Sequence, residues 1–241
     1  PKVELAFNTT DHLIGDIERL REELGIERWL VLGGSWGSTL GLAYAERFPE
    51  RVSAMVLVSI VTTSREAQWM TRDAGRYFPE QWDRFRDGVP EADRDGDLVA
   101  AYYRLLHDPS PSVREQAARD WCSWEDAHVA VRPDHRPNPR YDDPRVRMAF
   151  ARLVTHYWHH AAWLEDGALL RNAGRLAGIP GVLVHGRIDL SGPLDTAWRL
   201  SQAWPDSELV VIDEAGHGAR DPGMSEALVA ATDRFASRAS R

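Results

Sequence analysis

The chain has 241 residues, 43% of them hydrophobic and 27% charged, enough to bury a substantial core as one domain or as one domain with an insertion. Its 29 basic and 37 acidic residues give a net charge of −8, which argues against the basic face that a general nucleic-acid partner requires. A single cysteine, Cys122, excludes an internal disulfide framework and suits a reducing compartment. No apolar run is long enough to cross a bilayer, and the opening PKVELAFNTT lacks the basic-then-apolar pattern of a signal peptide. The expectation is therefore a cytoplasmic protein with no membrane partner, its oligomeric state unknown. Because the chain starts with Pro1 rather than Met, a processed or incomplete N-terminus is also expected.

The first predicted element is a helix from Asn8 to Leu24, capped by Asn8 or Thr10 and stopped by Gly25; Leu13, Ile17, Leu20 and Leu24 fall at helical spacing. RWLVLG, from Arg28 to Gly33, predicts a short buried strand. A helix follows from Trp36 through Leu40, Ala43 and Tyr44, limited by Pro49, and SAMVLVSI (Ser53 to Ile60) predicts a second strand. Strand, helix, strand with both strands apolar implies parallel pairing through a right-handed crossover. From Thr62 to Gly174 the chain is rich in Arg, Asp, Trp and Pro, with helical stretches, no convincing strand and proline-interrupted loops at HDPSPS and VRPDHRPNPRYDDP. Strand character returns at Ile179 to Asp189, then come a helix through Trp198 to Trp204, the strand ELVVID, the loop EAGHGARDPG and a last helix to Ala236. The layout is doubly wound α/β with a helical insertion: a first core part at 1–61, a helical cap insertion at 62–174 and a second core part at 175–241.

Gly33-Gly34-Ser35-Trp36-Gly37 fits G-x-S-x-G with a strand before it and a helix after it. A nucleophile at the tip of such a turn sits in a strained backbone conformation, so side chains two residues either side are expected to collide and glycine is favoured there. The helix that follows points its N-terminal N–H groups at the serine, where negative charge develops during acyl transfer. The alternative is an ordinary strand-to-helix connection with small residues.

A serine nucleophile needs a base and the base an orienting acid. His217 lies in a loop just after a C-terminal strand, and Asp189 follows Val184 at the carboxyl end of an earlier one. Serine, aspartate, histidine is the chain order of α/β-hydrolases. Their alternatives are a solvated turn aspartate and a loop histidine. Asp195, at a helix start, and Asp213, at a strand end, are rival acids. His156, His159 and His160 could share a helix face as a metal site does, but no carboxylate or cysteine at ligand spacing completes the set, so packed or pocket-lining histidines and no metal are expected. Cys122 reads as a buried small hydrophobe. Trp121 and Trp124, three apart, with Glu125 one step on, form either an aromatic face packed on neighbouring helices or an apolar pocket holding one carboxylate for a cationic group.

Together GGSWGSTLGLAYAERFPERV, DWCSWE, HGRID and AWPDSELVVIDEAGH, with the opening NTTDHLIGDIERLREELGIERW, resemble the proline iminopeptidases, serine peptidases of the α/β-hydrolase fold that release N-terminal proline. The resemblance covers most of the chain and implies Ser35 as nucleophile, Asp189 as acid and His217 as base. It implies that the Trp36 N–H donates to the oxyanion, that Glu125 binds the substrate's free α-amine, and that Gly34, Trp121 and Trp124 line the substrate site. Three departures stand out. The family's L-R-G-I-F reads LVSIV here, with Val58 for the arginine, and its A-R-I-E-N-H-Y-F reads ARLVTHYW, with Val154 for a second amine-binding glutamate. The family also begins with several strands and an H-G-G-P-G loop that carries the other oxyanion donor; this chain contains no such loop, so a fold without its N-terminal strands and with an open sheet edge is expected.

The sequence thus implies a hydrolase that acts on short peptides or amides through an acyl-enzyme, without metal or organic cofactor. An esterase or amidase with no free-amine requirement is the alternative within the fold, and a truncated, non-catalytic relative the alternative outside enzymes.

Overall fold

Four short runs rich in Val and Leu pair into one parallel sheet in the order β1-β2-β3-β4: β1 Trp29–Gly34, β2 Val52–Val58, β3 Gly181–Gly186 and β4 Ser207–Ile212. They are seen in a computed structural model that describes residues 5–129 and 137–239. The helices are α1 Thr10–Glu23, α2 Trp36–Arg47, α3 Ser64–Thr71, α4 Pro79–Asp87, α5 Leu98–Leu105, α6 Pro111–Val129, α7 Pro144–His159, α8 Ala168–Asn172, α9 Leu194–Ala203 and α10 Met224–Ala239. None of them is long and apolar enough to cross a membrane among the described residues. The chain divides into two units, one made of Thr10–Glu66 and Glu165–Arg241 and holding the sheet, the other of Pro1–Thr9 and Ala67–Leu164.

In the sheet unit, β2 and β3 are apolar along nearly their whole length because both faces are covered. Alternation sorts their side chains. Met55 and Leu57 point to α2, which approaches closely at Gly41: a Cβ there would stand 3.3 Å from Val31 Cγ1. Ala54, Val56, Val58, Val182 and Val184 point the other way, against Met224, Ala231 and Phe235 of α10. β1 forms an edge, and its Leu32 is 56% exposed although it is a strand residue of the apolar run. Trp204, fully buried behind α9, lies so close to Gly181 that a Cβ there would come within 2.4 Å of its ring. Beside α1, the Tyr44 hydroxyl donates to Glu18 at 2.6 Å while Arg21 grips the same carboxylate through two bonds of 2.9 Å.

The strand predicted from Ile179 to Asp189 stops at Gly186. There the chain turns, with the Ile188 N–H donating to the Ala215 carbonyl and the Asp189 N–H to that of Gly186.

The other unit is helical. Its core stacks Phe85 on Tyr102 (ring centroids 4.6 Å apart, 6° between planes) and closes with Trp121 and Trp124, both buried. Two prolines that read as loop breakers, Pro111 and Pro144, sit instead at helix starts, opening α6 and α7 as Pro79 opens α4, where a missing N–H costs nothing. Asp97 and Asp143 cap α5 and α7, accepting the N–H groups of Ala100 at 3.0 Å and Arg145 at 2.8 Å. The predicted loop VRPDHRPNPRYDDP lies partly outside the described residues, at 131–136.

Candidate active site

β1 ends at Gly34 and α2 begins at Trp36, which leaves Ser35 alone at the tip of the turn with φ 52° and ψ −121°. That is left-handed territory, costly for any residue other than glycine. Surrounding bonds hold it there. The Ser35 N–H donates to the Val58 carbonyl at 3.0 Å, its own carbonyl accepts the Ser38 hydroxyl at 2.6 Å, and Thr39 donates to the Val61 carbonyl at 2.7 Å. Gly33 is required sterically, since a Cβ would stand 2.2 Å from the Gly37 carbonyl oxygen; Gly34 is nearly so, at 2.9 Å from Val58 Cγ1. The expectation for Gly37 is corrected: a Cβ there meets nothing within 4 Å among the described residues. The collision runs one way, from residue 33 onto the backbone of residue 37. Trp36 opens α2, at a position whose N–H no intrahelical carbonyl accepts.

The other two groups come from loops beyond β3 and β4. His217 Nε2 lies 2.9 Å from Ser35 Oγ, and His217 Nδ1 lies 2.8 Å from Asp189 Oδ2. A carboxylate can only accept, so Nδ1 carries the proton and Nε2 accepts from the serine hydroxyl. Asp189 is buried, its Oδ1 accepting the N–H groups of Ser191 at 2.9 Å and Gly192 at 2.8 Å. Burial by itself raises a carboxyl pKa, but His217 and His185 beside Asp189 and the Gly192 N–H outweigh it and hold the group below the ordinary carboxylate range. The rival acids are engaged elsewhere: Asp195 pairs with Arg65 at 2.6 Å and Asp213 with Arg187.

Residues that motif reading passed over complete the cluster. His185, fully buried on β3, accepts the Ile60 N–H on Nδ1 at 3.1 Å and donates from Nε2 to the Gly192 carbonyl at 2.7 Å. Burial lowers its pKa, so it is the neutral wall of the Asp189 turn. Gly186 admits the histidine loop, because a Cβ there would stand 2.2 Å from the Gly216 and 2.3 Å from the Ala215 carbonyl oxygens. Asp221 accepts the Gly216 N–H at 2.8 Å, and the Ser59 hydroxyl donates to the His217 carbonyl at 2.9 Å. The signals were a histidine inside an apolar strand and a serine where the L-R-G-I-F pattern has glycine.

The remaining predicted residues lie in the helical unit, on α6. Trp121 and Trp124 are 0% and 1% exposed, their rings covered by Phe85, Tyr102 and Phe78, and the Trp124 indole N–H donates to the Met70 carbonyl at 3.1 Å. They are core residues with no open ring face, which corrects their assignment to a substrate pocket. Glu125 keeps a half-buried carboxylate 3.6 Å from His128 Nε2. Val154 packs against the aromatic core of the same unit, and Val58 closes β2. Cys122 is buried, which pushes its thiol pKa up to about 12. His156 bonds the Asn8 carbonyl at 3.0 Å and His160 the His156 carbonyl at 2.8 Å. Among the described residues no three His, Cys, Asp or Glu side chains are grouped to hold a metal.

Comparison with known proteins gives concordant results. The family model for the alpha/beta hydrolase fold matches residues 6–221. A protein of Streptomyces coelicolor named as a probable proline iminopeptidase is 51% identical over 98% of this chain and 74% of its own length. A proline iminopeptidase of Xylella fastidiosa is 43% identical over 98% of this chain and 76% of its own length. Among solved structures, a meta-cleavage product hydrolase of Pseudomonas fluorescens aligns with a TM-score of 0.54 at 20% identity, over 99% of this chain and 75% of that one, a likeness of fold.

Proposed function

The chain belongs to the proline iminopeptidases of the α/β-hydrolase fold, and we propose that it releases N-terminal proline from short peptides through an acyl-enzyme on Ser35. The observation that carries this reading is the single imidazole, His217, that joins Ser35 at 2.9 Å to the buried Asp189 at 2.8 Å.

In the first half-reaction Ser35 Oγ bonds to the prolyl carbonyl carbon as its proton passes to His217 Nε2. The carbonyl oxygen becomes an oxyanion facing the first N–H groups of α2, that of Trp36 among them. His217 then returns the proton to the departing amide nitrogen, the C–N bond breaks, and prolyl-Ser35 remains. Water repeats the sequence, giving its proton to His217 and its oxygen to the acyl carbon, and Ser35 leaves with the proton restored. Asp189 keeps the imidazole in one tautomer and stabilises it when it is charged. These steps use the side chains of Ser35, His217 and Asp189 together with backbone N–H groups of α2.

Glu125 is the carboxylate that resemblance assigns to the substrate's free amine. With Val154 in place of a second glutamate, selection for a cationic N-terminus rests on one carboxylate. That same valine favours the second reading, an amidase or esterase of this fold with no free-amine requirement. The lone buried thiol suits work in the cytoplasm.

A fluorophosphonate probe, followed by comparison of prolyl-, alanyl- and acetyl-blocked arylamides, tests both readings. Labelling confined to Ser35, with prolyl arylamide turned over fastest, is the expected result. Absence of labelling in folded protein defeats the hydrolase, and equal turnover of free and blocked substrates leaves only the second reading. Glu125→Gln raises KM for free-amine substrates about tenfold and leaves neutral esters unchanged, in line with the loss of a charge-assisted bond; equal effects on both would remove Glu125 from the amine site.

A further inference from the structure

Ser59 follows the last residue of β2 and has φ 51°, in the left-handed region that favours glycine. The L-R-G-I-F pattern indeed places glycine at this position. Serine is retained here by two bonds. Its N–H donates to the Val184 carbonyl at 3.0 Å, continuing the β2–β3 pairing by one residue, and its hydroxyl donates to the backbone carbonyl of His217 at 2.9 Å. Glycine could make the first bond but not the second.

The second bond matters because of where it lands. One residue upstream of His217 the chain is held where the Gly216 N–H, in the Ala215–Gly216 peptide, donates to Asp221. Ser59 fixes the other side by holding the His217 carbonyl. With one anchor upstream and one on its own carbonyl, the backbone of His217 is restrained, and the bond from Ser59 is the one that acts on the peptide of His217 itself. The residue that needs the backbone strain is therefore the one that ties the base's loop to the end of the strand next to the nucleophile turn.

We propose that Ser59 is a positioning residue for His217: its hydroxyl, held in a left-handed backbone, anchors the base's own peptide. The inference rests on the serine-hydrolase reading. Unlike that reading, it concerns a side chain that touches neither substrate nor reacting atoms.

Wild type, Ser59→Ala and Ser59→Gly are compared by kcat and KM on prolyl arylamide, by the rate of Ser35 modification with a fluorophosphonate, and by Tm. A net hydrogen bond is worth about a 3- to 10-fold change in rate if it is felt fully at the base. Both variants are expected to lose about that factor in kcat and in modification rate, with KM within about twofold of wild type. Stability is expected to move in opposite directions: Ser59→Ala lowers Tm, because strain stays while the bond is lost, whereas Ser59→Gly keeps or raises it, because strain goes too. A slower but undiminished-Tm glycine variant is an outcome that a merely structural serine does not produce. Wild-type kcat and modification rate in Ser59→Gly overturn the inference, as does a loss of rate that tracks a loss of Tm in both variants. Failure of the wild type itself to label defeats the hydrolase reading instead, which keeps the two failures apart.

Discussion

Gly186→Ala isolates the geometry of the base from its chemistry. The added methyl carbon would sit 2.2 Å from the Gly216 carbonyl oxygen and 2.3 Å from that of Ala215, where ordinary contact begins at 3.4 Å. Neither partner is a flexible side-chain tip. Gly186 is paired with Ile212 in the β3–β4 register, and Arg187 next to it donates to the Ile212 carbonyl at 2.9 Å. The strand end is fixed, so the loop bearing His217 must retreat by roughly 1 Å, a displacement that costs about 10²-fold when it separates reacting groups. Ser35 and His217 are 2.9 Å apart, and the same retreat takes them out of hydrogen-bond range. The expected outcome is a fall in kcat on prolyl arylamide of about 10²-fold, a matching fall in fluorophosphonate labelling of Ser35, and little change in far-UV circular dichroism. If Gly186→Ala turns over within threefold of wild type, the loop is not seated against β3 as described, and the reasoning from the close approach fails.

Asp189→Asn leaves the Ser191 and Gly192 N–H groups with an acceptor but lets His217 adopt the wrong tautomer; kcat should fall about 10³–10⁴-fold with little change in KM, read from steady-state kinetics near pH 7. Glu46, buried on α2 with no partner for Oε1 among the described residues, has its pKa raised to about 8 by burial, against the opposing pull of Arg175 and Asn172. Because the folded value exceeds the unfolded one, the folded state binds the extra proton between about pH 4.5 and 8, and stability falls as pH rises through that window. Glu46→Gln should therefore raise Tm at pH 8 and change it little at pH 4; a larger gain at pH 4, by thermal melts across the range, would contradict this sign.

What could be read in the sequence was whatever steric or periodic demand leaves in neighbouring residues. Ser35 is legible because Gly33 must lack a Cβ, and β2 and β3 because burial on both faces forces nearly unbroken apolar runs. Gly37 shows how a motif letter can outrun its reason in one structure: the letter is present, yet no atom of the described chain crowds it. Asp189 is less legible, since Asp195 and Asp213 are also placed near element ends. The decision is made by a turn of three residues after Gly186, and by Arg65 and Arg187 drawing the rivals away. Trp121 and Trp124 could have faced a ligand or a core, and helix spacing is the same for both; Phe85, seventeen residues before Tyr102, is what covers them. Ser59 and His185 bond to backbone groups, most of them far off in sequence, so each shows only as an odd letter in an apolar run and its partner cannot be read from the letters.

β2 ends at Val58 and its neighbour β3 begins at Gly181, so the central pairing of the sheet closes over the longest excursion in the chain. The elbow lies wholly on one side of that excursion, and His217 and Asp189, which are bonded in series to its serine, lie on the other, His217 being 182 residues from Ser35. Closure entropy grows only with the logarithm of length, about 0.6 kcal/mol per doubling, and an intervening unit with its own core closes as a body rather than as free chain. The β1–α2–β2 crossover unit is built from contacts close in sequence, while His217 and Asp189 follow the last two strands. The chain of bonds Ser35–His217–Asp189 therefore exists only where both ends of the sheet have come together.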